Sequence, residues 1–189
     1  MLSSKLQVNQ IFAVSSLRNF DYPVFPCPHN MAKLLSNFKF VREMRMIEKA
    51  RIVYMKCSSD HRHDPRLEFK GWFSGTVLKM WMVDKTLQDA AFKAEMLNFL
   101  FMDCEGRLVR SSQVILKDLF NSYHGVYTSF DEGLYYNNQV LASNIYKNCM
   151  FSQGSLQELL AMTEFTVENL KKLEKVKPAD IIDGKFDFE

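Results

Sequence analysis

The chain has 189 residues, 24 Lys+Arg against 22 Asp+Glu, and 47% hydrophobic residues. That length suits one domain with a sizeable core, and the apolar fraction excludes a disordered chain. A net charge of +2 excludes the bulk positive field of a general nucleic-acid binder and leaves only local basic faces. With 16 Phe and 11 Met, the chain suits the neighbourhood of a large partner or a membrane. The four cysteines, Cys27, Cys57, Cys104 and Cys149, show no paired metal-ligand spacing. They are expected to be reduced thiols that serve as small buried hydrophobes in a non-secreted compartment.

Residues 1–20 carry Lys5 and Arg18, four serines and no acid, interleaved with Leu2, Leu6, Ile11, Phe12 and Leu17. This is the pattern of a mitochondrial targeting segment, expected here to be retained, and equally that of an apolar N-terminal arm. Pro23, Pro26 and Pro28 then make residues 21–29 an extended connector. The expected division is an arm and connector over 1–29 and a helical domain over 30–189. No run reaches the roughly 20 apolar residues of a membrane-spanning helix.

From there the periodicity is helical, and the fold class is all-α in a single globular domain. Asn30 caps a first helix with Met31, Leu34, Leu35 and Phe38 on one face. Phe40, Met44, Ile47 and Tyr54 form the next apolar face, and residues 57–64 read as a polar loop. Phe69, Trp72, Phe73, Thr76, Val77 and Met80 follow as an aromatic stripe. Thr86 with Asp89 reads as a capping box for a helix to about Asp103 that Gly106 ends. Ser111 or Ser112 caps another, with Ile115, Leu119, Ser122, Val126 and Phe130 inward and Gly133 as its stop. A shorter helix spans about 138–150. Ser155 with Glu158 is a second capping box, opening a helix to about Lys175. Pro178 forbids continuation, and Asp183-Gly184 marks a tight turn.

Catalytic motifs are scarce. Cys57, Asp60, His61, His63 and Asp64 crowd together, but His-x-His splays its rings in an extended segment, so a solvated loop is the better reading. No cofactor and no metal are expected. His124 with Cys104 or Cys149 is the only thiol-hydrolase arrangement to consider, and no phosphate-cradling or hydrolase motif supports it. Asp131 and Glu132 sit near a helix C-terminal end, where carboxylates oppose the dipole and call for a compensating basic group. A docking pair and a charged loop are the competing readings.

Arg42, Arg45, Lys49 and Lys56 lie on one helical stripe within 33–56, where seven Lys/Arg face only Glu43 and Glu48. They are candidates for an anionic partner, a lipid surface or ribosomal RNA, against the alternative of a solvated face. Gly71 and Gly75 form a G-x-x-x-G that admits close packing. Trp72 and Trp81, the only tryptophans, make this helix either the core pillar or the docking surface. Trp81 lies about 100° from Met80 on the wheel and is expected to be half-exposed.

The motifs Phe69-Lys-Gly-Trp72-Phe73, Leu78-Lys-Met-Trp81-Met82 and Phe120-Asn-Ser-Tyr123-His-Gly-Val-Tyr127 resemble the ubiquinol–cytochrome c chaperone family. Asp131-Glu132-Gly133, Leu141-Ala142 and Asp180-Ile-Ile-Asp-Gly-Lys-Phe-Asp-Phe188 continue the similarity over residues 66–188. The resemblance implies an all-helical domain on the matrix side of the mitochondrial inner membrane, peripheral and non-enzymatic. It implies a role in assembling the cytochrome bc1 complex with newly made cytochrome b, a small partner protein and the mitoribosome exit region. It also makes Trp72, Trp81, Tyr127, Asp131, Glu132 and Gly133 the candidate partner-binding set. Lys79-Met80-Trp81-Met82 departs from the family's His before Trp-Met, and Val83-Asp84-Lys85 from its usual basic segment. The alternative is a permanent accessory subunit of a respiratory complex or mitoribosome built on the same fold.

Overall fold

The computed structural model describes residues 39–58, 65–107 and 113–188. The expected 29/30 boundary, the Asn30 helix, Cys27, the loop residues Asp60, His61, His63 and Asp64, and the Ser111/Ser112 cap all lie outside them. Arg42–Glu189 forms one compact unit; of the other, Met1–Val41, only the start of the first helix is described.

Seven helices and no strands occur among the described residues. They are α1 Lys39–Ser58, α2 Pro65–Asp84, α3 Ala90–Arg107, α4 Gln113–Tyr136, α5 Asn138–Asn148, α6 Leu156–Leu173 and α7 Pro178–Ile182. Helix α2 packs against α3, α4 and α6, so it is the pillar of the bundle. Its stripe of Trp72, Phe73, Thr76, Val77 and Met80 is buried as the spacing predicts, and Leu78, Trp81, Met82 and Val83 are buried too. Neighbours cover most of this helix, and only the stripe of Gly71, Gly75 and Lys79 is half-buried among the described side chains from 71 to 83.

The helix ends follow local chemistry. Asp89 itself caps α3, accepting from the backbone N–H of Ala91 and Phe92 at 3.0 and 3.1 Å. Thr86 instead donates to the Val83 carbonyl at 2.6 Å, so the expected Thr86/Asp89 box is replaced by a single cap three residues later. The Ser155–Glu158 box opens α6 as expected, with both reciprocal bonds made. Asn137 caps α5. Pro178 occupies the first turn of α7, where its missing N–H costs nothing. Gly184 supplies the left-handed φ of +71° in the turn that follows.

Three expectations on faces and ends change. Helix α1 buries Ala50, Val53, Tyr54 and Cys57 in its second half, while Phe40 and Met44 are exposed. Tyr54 anchors that half through a 2.6 Å bond to Asp103 of α3. On α4 the side chains of Ile115 and Leu119 lie outside those described; among the rest Tyr123, Val126 and Phe130 face inward, whereas Ser122 is exposed. Tyr123 turns inward because Phe101 and Tyr127 offer it ring contacts at 6.3 and 4.9 Å. Gly133 does not stop its helix, which runs on to Tyr136, whereas α3 ends at Arg107, one residue past Gly106.

Candidate functional site

Of the predicted partner-binding residues, Trp81 and Asp131 meet where α2 contacts α4, whereas Trp72 lies against Arg107 of α3 and Gly133 against Leu141 of α5. Trp81 is 0% exposed and Trp72 is 1% exposed, which corrects the expectation of a half-exposed Trp81. The Trp81 ring packs on Phe130 at 5.3 Å, and its Nε1–H donates to Asp131 Oδ1 at 2.7 Å. Lys85, from the turn after α2, pairs with the same Asp131 carboxylate. This supplies from within the chain the basic compensation that a carboxylate near a helix C-terminal end requires. Trp72 lies under the Arg107 guanidinium, 4.2 Å from ring centre to Cζ. Its Nε1–H has no hydrogen-bond partner among the described residues.

Gly133 is a crossing point. A Cβ there would stand 2.6 Å from the Cα of Leu141, so only glycine lets α4 and α5 approach as they do. Gly71, in contrast, has no atom within 4 Å of an added Cβ, so the G-x-x-x-G reading finds no close backbone at that position. Glu132 is exposed beside Leu134, Tyr135 and Tyr136, whose rings lie 83% and 63% exposed for the two tyrosines. The tyrosine rings meet edge to face at 5.2 Å. Sequence reasoning passed over this aromatic rim, although two adjacent tyrosines after Gly133 give one an outward position whichever face is buried.

Tyr127 opens onto a cleft of about 220 Å³ lined by Met80, Asp84, Lys93, Met96, Tyr123 and His124 among others. Burial raises the Asp84 carboxyl above its ordinary range, opposed by its 3.1 Å pair with Lys93 and a bond from Tyr127. Burial also drives the Tyr127 phenol far above its usual value. These groups hold one another in a structural network.

The thiol-hydrolase arrangement is not supported. His124 is exposed, whereas Cys104 and Cys149 are buried, and burial pushes both thiols up to about 12. An activated thiolate requires the opposite shift. No metal-type cluster occurs among the described residues.

The basic stripe is divided. Arg42 and Arg45 are exposed. Lys49 pairs with Asp183 at 2.7 Å, and Lys56 reaches both the Phe186 carbonyl and Asp187 at 2.6 Å.

Residues 65–188, from the first residue of α2 to the segment after α7, match the sequence model of the family described as Ubiquinol-cytochrome C chaperone. The chain belongs to the ubiquinol–cytochrome c chaperone family. In this family member the matched region holds the pillar helix, the Trp81–Asp131–Lys85 contact and the Gly133 crossing. All of α1, with Arg42, Arg45, Lys49 and Lys56, lies before it. No curated protein and no solved structure matches the chain.

Proposed function

We propose that this chain is a non-enzymatic assembly factor for the cytochrome bc1 complex. It binds newly made cytochrome b together with a small partner protein, and works as a peripheral protein on the matrix side of the mitochondrial inner membrane. The observation that carries this reading is the family match, which spans the bundle from α2 through α7. Peripheral attachment agrees with the absence, among the described residues, of a helix long and apolar enough to cross a membrane.

Docking falls to the exposed end of α4. Glu132, Tyr135 and Tyr136 offer a carboxylate and two large ring faces there, and Asp131 retains 46% side-chain exposure despite its internal bonds. Tyrosine is favoured at interface centres because it contributes much contact area for little lost freedom. Trp81 and Gly133 support this end from inside. An anionic partner, membrane or ribosomal RNA, would be met on the α1 stripe of Arg42, Arg45, Lys49 and Lys56, of which Lys49 and Lys56 also hold the 183–187 segment.

The test is affinity purification of the tagged chain from mitochondria, with newly made proteins pulse-labelled. Recovery of labelled cytochrome b, and loss of the chain from mature complexes, is the expected result. A fixed ratio in a mature respiratory complex or ribosome would overturn it in favour of an accessory subunit.

A further inference from the structure

The segment after α7 is an extended peptide laid across three helices. Gly184 turns it against α1, with an added Cβ only 2.7 Å from Ile52 Cγ2. Phe186 is buried, and Phe188 packs on it at 5.6 Å and on Phe165 of α6 at 6.3 Å. Lys56 of α1 bonds the Phe186 carbonyl and the Asp187 carboxylate and also stands 5.5 Å from the Phe186 ring centre. Lys79 of α2 stands 5.5 Å from the Phe188 ring centre. The groove thus reads ring, acid, ring, with an ammonium placed for each feature.

Its hold on the segment is local. Lys185 N–H still bonds back to the Asp180 carbonyl at 2.8 Å, but no main-chain to main-chain bond involves 186–188 among the described residues. Asp187 is exposed. A short terminal stretch held by two rings and two lysines, with no main-chain pairing of its own, is a candidate for local opening without global unfolding.

We propose that this lysine-lined groove between α1, α2 and α6 is a recognition site for an extended aromatic–acidic–aromatic segment of a partner protein, occupied in cis by Phe186-Asp187-Phe188. The chain's own segment shows the chemistry the groove selects, and its tether makes it a competitor that an incoming segment must displace. A short tether sets an effective concentration on the order of millimolar, so a free peptide binds the closed chain poorly. The inference goes beyond the assembly reading and does not depend on which client the chain serves.

The test is fluorescence anisotropy of a labelled peptide of residues 183–188 titrated with the full chain. Phe186→Ala/Phe188→Ala opens the groove, and Phe188→Ala alone is the milder variant because Phe188 is only partly buried. An opened, folded variant should bind at least about 10-fold tighter than the unaltered chain. Adding Lys56→Glu should remove that binding, and a probe carrying Lys at the acidic position should recover part of it. Equal binding by open and closed chains, or a folded open variant that binds nothing, overturns the proposal. So does unfolding of both aromatic variants, which would make the segment an inseparable part of the core. A concentration-dependent dimer that competes with the probe would assign the groove to a second copy and overturn it likewise.

Discussion

The indole N–H of Trp81 donates to the Asp131 carboxylate across 2.7 Å, joining the buried heart of α2 to the partly exposed end of α4. Asp131 therefore has two roles at one atom, since the same Oδ1 also receives Lys85. An acid that looks like surface charge is the acceptor for a wholly buried indole.

Removing the acceptor should be felt in the fold. Asp131→Ala leaves the Trp81 N–H buried without its partner, which typically costs about 1–3 kcal/mol. Asp131→Asn keeps an oxygen in place and should cost less. Glu132→Ala, exposed and outside this contact, should leave the thermal melt within about 0.5 kcal/mol of the unaltered chain. Identical melts for Asp131→Ala and Glu132→Ala would show that the indole bond carries no stability.

Two glycines make opposite forecasts. Gly133→Ala drives a methyl to 2.6 Å from the Leu141 backbone, where no flexible side chain can yield. The helices must part, at a cost of about 1–3 kcal/mol. Gly71→Ala meets nothing within 4 Å inside a helix, and should gain up to about 1 kcal/mol from helix propensity. Chemical denaturation of both variants checks the pair, and equal destabilisation would refute the crossing argument.

What the sequence makes legible here is periodic or capped. The α2 stripe, the Ser155–Glu158 box and the Pro178 stop are local patterns, and the helices appear where those patterns place them. Faces decided by neighbours are a different matter. Trp81 lies off the centre of its own stripe, and only the arrival of Phe130 and Asp131 from α4 encloses it. Phe40 and Met44 share an apolar spacing with Tyr54, but Tyr54 alone has Asp103 across from it. The basic stripe reads as outward-facing because its local sequence does not show the distant carboxylates that hold Lys49 and Lys56. Their carboxylates come from Asp183 and Asp187, more than a hundred residues away.

Alkaline stability should reflect the buried thiols. Burial raises Cys57, Cys104 and Cys149 from 9.0 to about 12, so the folded chain keeps protons that the unfolded chain releases. Their contribution is fully present below about pH 9 and is lost as pH rises toward about 12. A melt series across that window should fall more steeply for the unaltered chain than for one with the three cysteines replaced by Val. In a Cys27→Ser background, thiol reagent at pH 8 should label the chain only as it unfolds. Rapid labelling of the folded chain would contradict the burial.

The exposed tyrosines separate docking from folding most directly. Tyr135→Ala/Tyr136→Ala removes two rings that lie mostly in solvent, so the melt should move little. If they centre an interface, each truncation of this kind costs upwards of about 2 kcal/mol of binding, or roughly 30-fold in affinity. The double variant should then stay folded and lose its mitochondrial partners on purification. Trp81→Ala should do the reverse in order of cause, losing about 3–5 kcal/mol of folding stability before any partner is considered. Measuring melt and copurification for both variants distinguishes an interface from a core. Undiminished copurification of the tyrosine variant would move the docking surface away from the end of α4.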